Sequence, residues 1–175
     1  MLSDPWLWLI LIFILLFGAY FSLTETAFAA VDPIRIKVLA ENSSIAKKTL
    51  RYIEHFDQSV IVTVIGSNIT SVLLSTLSTI FFIQLFQDDA LGTLLATVIA
   101  ALLFYIFCDT IPKVIGRGLP LQSALFVTVV FDIFRIVFFP IYVIFYNFNR
   151  FLKRFQKTES NSTLTQEDFS SIVEK

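Results

Sequence analysis

The stretch from Phe104 to Gly118 reads FYIFCDTIPKVIGRG. It sets a carboxylate, Asp109, three residues before a proline at the inner end of a long apolar run, and this placement decides the fold. An ionisable residue inside a membrane span is costly and by default marks a functional site. Pro112 has no N–H to offer the carbonyl of Cys108, which frees that oxygen beside the carboxylate. Carboxylate and carbonyl are hard oxygen ligands, suited to a small hard cation.

Outward from Asp109 the composition is that of a membrane protein. The chain has 175 residues, 56% of them hydrophobic and 20 of them Phe, with a mean hydropathy of +0.78; a soluble domain holds about 45–50% apolar residues. A net charge of −1 and the lack of a basic cluster interleaved with aromatics argue against a nucleic-acid partner. One Cys excludes an internal disulfide, and one Cys with one His falls short of a zinc or iron site. No nucleophile–base pair or Gly-rich phosphate loop stands on a suitable element, so an enzyme is not expected.

The first apolar run, Trp6 to about Val31, exceeds the roughly 20 residues a crossing needs. Asp4 and the absence of Lys or Arg before it favour a retained span over a signal peptide. Gly18, Ser22, Thr26 and Ala30 form a small-residue stripe along it, fit for close helix packing. Residues 32–57 hold five of the thirteen basic residues and read as an amphipathic segment on the cytoplasmic surface, with Ile34, Val38, Ile45, Leu50 and Ile53 as its apolar set. The second run, Val60 to Phe86, carries Ser59, Thr63, Ser67, Ser71 and Ser75 every fourth residue and Asn68 near its middle. Interhelical hydrogen bonding accounts for most such hydroxyls; a buried amide demands more partners. After an acidic outer turn, Gln84 to Gly92, a third run returns inward to Lys113 and Arg117.

A fourth run, Leu121 to Phe148, is also long enough to cross, but a crossing would carry Arg150, Lys153, Arg154 and Lys157 to the outside. With Asp132, Arg135 and Pro140 inside it, this run is expected to be a bent helix pair at the inner interface, about residues 121–149. The expected fold class is thus an all-α membrane protein, with three transmembrane helices (about 6–31, 60–86 and 91–115) and amphipathic juxtamembrane helices. Its N-terminus lies outside and its C-terminus in the cytoplasm. Residues 1–157 form the membrane domain; 158–175 form a polar linker and the capped start of a cytosolic helix at Thr165, which suggests a longer protein.

Along helices rising about 1.5 Å per residue, Ser22 and Asp109 fall roughly 25 Å from the outer face and Asn68 roughly 16 Å from the inner one. In a core about 30 Å thick the three share a depth. Glu25 and Thr26 follow Ser22 by one turn, and Asp109, Pro112, Lys113 and Gly116 share a face. The rival arrangement is an Asp109–Lys113 ion pair at i,i+4 with no cation.

At FSLTETAF, GSN and DTIPK the chain resembles the transmembrane domain of the CorC/CorB and cyclin M (CNNM) family of divalent-cation transporters. The resemblance covers nearly the whole chain and includes the order of elements. It implies Mg²⁺ export, coupled to Na⁺ in some members, by a homodimer in the bacterial inner membrane, with cytosolic CBS domains following TLTQEDFSSIVEK. It assigns metal ligation to Ser22, Asn68 and Asp109 and to a glycine carbonyl placed here on Gly116, with Thr26 and Glu25 in the same motif. Departures are Asp109 where the family has Glu after Gly, and Ser67 and Ser71 where it has Asn. The shorter carboxylate matters because Mg²⁺ demands near-octahedral geometry at about 2.0–2.1 Å. Two other functions stay open: a polyamine exporter of the same family using Glu25 and Asp109 with Tyr20, Phe21 and Tyr105 as aromatic walls, and a membrane anchor and dimerisation module that transports nothing.

Overall fold

A computed structural model of the chain describes residues 5–141, 143 and 144, and every regular element among them is helical. The first apolar run forms α1 (Pro5–Ala30), whose 26 residues extend about 39 Å, more than a hydrocarbon core. Asp32 and Pro33 end it and start the next helix, α2 (Pro33–Ala40). The Asp32 carboxylate accepts the Ile34 N–H at 2.9 Å, and proline at the first helical position loses no bond. A turn follows, in which the N–H groups of Glu41 and Asn42 donate to Val38 and Leu39. Ser43 then caps α3 (Ser44–Glu54), accepting the Ala46 N–H at 3.3 Å.

The basic segment is therefore two helices, and it has a protein-facing side besides the apolar set read from the sequence. Ile36, Ala40, Ala46, Thr49 and Tyr52 face the protein, while Ile34, Val38 and Ile45 are exposed. Both sets recur at helical spacing, and periodicity alone does not say which meets protein and which meets lipid.

The second run forms α4 (Phe56–Phe86). Gln87 closes it in the left-handed region at φ 53°, and Asp88 caps α5 (Asp89–Leu103) by accepting the N–H groups of Ala90 and Leu91. Two residues thus make the whole hairpin turn. Small residues at Gly92, Ala96 and Ala100 are buried along α5. A Cβ on Gly92 would lie 2.7 Å from the backbone of Ile83, so α4 and α5 touch there main chain to main chain.

The third span runs on unbroken from Asp89 to Gly118. Beyond α5 it passes through a π-helical segment, Phe104–Thr110, into α6 (Ile111–Gly118). The Ile111 N–H bonds the Ile106 carbonyl, a five-residue reach, and Pro112 sits in the first turn of α6. The widened turn lets proline enter a continuous helix where it has no N–H to give.

Helix α7 (Pro120–Val137) is 18 residues long with a mean hydropathy of 1.6. Four described helices, not the three expected, are therefore long and apolar enough to cross a membrane: α1, α4, the third span and α7. The fourth run was expected to be a bent helix pair over about 121–149; its first part is one helix of crossing length, α7, and a turn stands at Phe138. Helices α1 to α7 belong to one unit ending at Val137; a second begins at Phe138, and of it residues 139–141, 143 and 144 are helical. The basic cluster Arg150–Lys157, the rest of the expected helix pair, the linker and the Thr165 helix lie outside the described residues.

Candidate cation site between the first and third spans

Close contacts fix how the spans are aligned. A Cβ on Gly18 would lie 2.8 Å from Cys108 Sγ and 2.9 Å from Thr70 Cγ2. A Cβ on Gly116 would lie 3.1 Å from Thr26 Cβ. Gly18 and Thr26 are eight residues apart, as are Cys108 and Gly116, so α1 and the third span run parallel in fixed register. Cys108 Sγ adds a hydrogen bond to the Leu15 carbonyl at 3.3 Å. Against α4 the order reverses: Gly66 packs on the ring of Phe21, Thr70 on Gly18, and Phe81 on Trp8 at 5.0 Å between centroids. The α4 helix is antiparallel to α1, as a hairpin neighbour must be.

These registers place Ser22 at the level of Pro112, Asp109 at the level of Ala19, and Asn68 within about a turn of both. The shared depth expected from the sequence holds. What each side chain does there differs.

Ser22 is 6% exposed, and its Oγ is buried with no hydrogen-bond partner among the described residues. The contrast with its neighbours is informative. Thr24, Thr49, Thr70, Thr79, Thr97 and Thr128 all return their hydroxyl to the carbonyl four residues back. Ser22 stands on the tightly packed stripe with Gly18 and does not. A buried hydroxyl without a partner costs roughly 1–3 kcal/mol.

Asp109 is half-exposed, and its carboxylate is ion-paired to Lys113 one turn inward. The arrangement that competes with a cation is thus the one present. Among the described residues no three His, Cys, Asp or Glu side chains cluster.

Asn68 is exposed. Gly66 and Thr70 point α4 at α1, and Asn68 lies about 200° around the helix from each, on the far side. The structure does not bring it to Ser22. Gly116 is seven residues inward of Asp109, about 10 Å, and is pressed on Thr26, a packing contact rather than a position beside the carboxylate. Glu25 and Thr26 are half-buried, and Glu25 lies within about 60° of Ser22 around α1.

Two features escaped the sequence reading. The π segment was signalled only by Pro112, which equally permits a simple kink. Between α4 and α5 a cleft of about 280 Å³ is lined by Ser71, Ser75 and Thr97 among apolar residues; its hydroxyls belong to the fourfold Ser stripe, but the facing Thr97 gave no sign in a strongly apolar run.

A family profile for the cyclin M transmembrane N-terminal domain matches residues 9–175. The chain belongs to that family. Cyclin M relatives include the UPF0053 inner membrane protein YfjD of Escherichia coli, 25% identical over 161 residues, which is 89% of this chain and 37% of that protein. The UPF0053 protein MG146 of Mycoplasma genitalium is 24% identical over 122 residues, 67% of this chain and 29% of its own length. A UPF0053 protein of Haemophilus influenzae is 28% identical over 111 residues, 63% and 26%. The cyclin M chain described here thus spans between a quarter and two-fifths of the length of these relatives.

Proposed function

We propose that the chain carries a divalent cation, Mg²⁺ by its hard-ligand chemistry, across the bacterial inner membrane by alternating access between the first and third spans. Ser22 and Asp109 are its core ligands and Thr26 and Glu25 stand on its inward side. The observation that carries this reading is the buried Ser22 hydroxyl, left unpartnered at the depth of a membrane carboxylate. Asn68, at the same level but on the far face of α4, is turned away from them by the seating of Gly66 on Phe21 and is left out of the core set. Gly116 is proposed as a packing residue that holds the register. The transport unit is a homodimer, Na⁺ is the coupling ion, cytosolic CBS domains belong to the whole protein, and the work is transport rather than catalysis.

In the proposed topology three helices cross and α7 lies at the inner interface, with the N-terminus outside and the C-terminus in the cytoplasm. Support comes from the packing of α7. Its Val127 carbonyl accepts the Tyr20 hydroxyl, Phe131 meets Phe28, and Phe134 meets Phe17 and Phe21, so two turns of α7 stay between the same levels of α1. The same two turns follow the basic helix α3 through Thr49–Thr128 and through Lys48 and Tyr52 to Asp132. A helix lying on α3 shares its place at the membrane surface.

An aromatic-walled polyamine site has less support. Tyr20 and Phe21 are engaged in the Phe17–Phe134 cluster, and Tyr105 is 61% exposed on the outside of the bundle. The anchor reading has one observation in its favour, the neutralised Asp109–Lys113 pair. Calorimetric titration of the purified chain with Mg²⁺, together with flux into vesicles, decides between them. Saturable binding lost in Asp109→Asn and Ser22→Ala and kept in Asn68→Ala supports transport through this site. Binding retained in Asp109→Asn and Ser22→Ala removes the site, and no binding in the wild type leaves the anchor.

A further inference from the structure

Asp109 and Lys113 are each 38% exposed at the side chain, one turn apart, and in contact. One carboxylate with one ammonium sums to zero charge, the least costly state for a site at membrane depth. The same pair is a poor receptor. A cation arriving at Asp109 meets a neutral pair and an ammonium of its own sign. The ammonium also leaves the site half made, because the Ser22 hydroxyl, at the level of Pro112 between the two charges, gains no bond from it.

We infer that Lys113 is a tethered counter-cation: it occupies Asp109 while the site is empty and is displaced when the transported ion binds. This rests on the cation site proposed above. No proton moves, since the ammonium only exchanges partners. Lys113 lies five residues before the end of α6, about 7.5 Å along the axis, so a lysine chain can carry its charge to the inner interface. That swing brings it to the level of Glu25, which by register faces Ile115. The exchange also sets specificity. A monovalent metal ion replaces one positive charge by another and gains only the Ser22 oxygen, whereas a divalent ion also doubles the charge attracted to the Asp109 carboxylate. Lys113 is thus a specificity-determining residue that competes with the substrate from within the chain.

The test is Mg²⁺ titration of the full chain as wild type, Lys113→Met and Asp109→Asn, with acylation of Lys113 by a water-soluble reagent read by peptide mass spectrometry. Lys113→Met should bind Mg²⁺ at least tenfold more tightly than wild type. Acylation of wild-type Lys113 should rise severalfold on saturation with Mg²⁺, and in Asp109→Asn it should be high with or without the ion. If the wild type binds Mg²⁺ while Lys113→Met binds no more tightly and acylation stays constant, the tether is overturned and the cation site stands. If no protein binds Mg²⁺ and acylation never changes, both fall. Should Lys113→Met not fold, the acylation comparison on wild type and Asp109→Asn decides alone.

Discussion

Gly18→Ala probes the contact on which the register of the candidate site depends. The new methyl would stand 2.8 Å from Cys108 Sγ and 2.9 Å from Thr70 Cγ2, against ordinary contact from 3.4 Å. Neither neighbour retreats easily. Thr70 is β-branched and its hydroxyl is tied to the Gly66 carbonyl at 2.8 Å, while Cys108 is buried with its thiol on Leu15. Overpacking of this kind costs about 1–3 kcal/mol, offset by about 1 kcal/mol for replacing a helical glycine. A net loss of about 1 kcal/mol follows. Cys108→Ala removes the sulfur but leaves Thr70 Cγ2 in place, so the double substitution should recover part of that loss, a coupling of about 0.5 kcal/mol, at the lower end of the range for touching residues. Thermal unfolding in detergent, followed by Trp fluorescence, reads it well, because Trp8 packs on Phe81 at the α1–α4 contact. A Gly18→Ala protein as stable as wild type, or strict additivity with Cys108→Ala, would refute the register.

Ser22→Ala should unfold at a higher temperature than wild type in divalent-free buffer, by the equivalent of about 1 kcal/mol, since it deletes an unpartnered buried hydroxyl; a lower temperature would mean Ser22 has a partner. Gly92→Ala should destabilise the hairpin by about 1–2 kcal/mol net of the helical gain, because its methyl meets Ile83 main chain rather than a movable side chain; unchanged melting would contradict the contact. Asp132→Asn keeps the shape but drops the charge that holds Lys48 and Tyr52, and should cost about 1 kcal/mol, less at high salt because Lys48 is mostly exposed; a salt-independent loss would point to packing instead.

The spans were legible because lipid imposes one rule on every residue of a crossing helix. The runs at 6–31, 60–86 and 91–115 reappear as Pro5–Ala30, Phe56–Phe86 and Asp89–Gly118. Depth was legible too, since the rise per residue is constant, and it put Ser22 and Asp109 at neighbouring levels. Direction around the helix was not. The hydroxyls and small residues of α4 recur on several faces, and only the Gly66–Phe21 contact shows that Asn68 points away from α1. Asp32 and Ser43 were visible cap signals, but reading 32–57 as one amphipathic stretch hid the break between α2 and α3. Parity of basic clusters set α7 aside as a crossing helix, and neither length nor hydropathy distinguishes it from one.

The π segment constrains how the third span can turn. A π turn holds one residue more than an α-helical turn. It migrates along a helix by trading a five-residue bond for a four-residue one, a step that needs an N–H at each position. Pro112 has none, so the surplus residue is shut out of α6 and free only toward Leu103. Each step outward would rotate the segment left behind by about 100°. The inner end, seated through Gly116 on Thr26, keeps its azimuth, and any such step must first release Cys108 from Gly18 and Leu15. Proline here works less as a bend than as a ratchet stop.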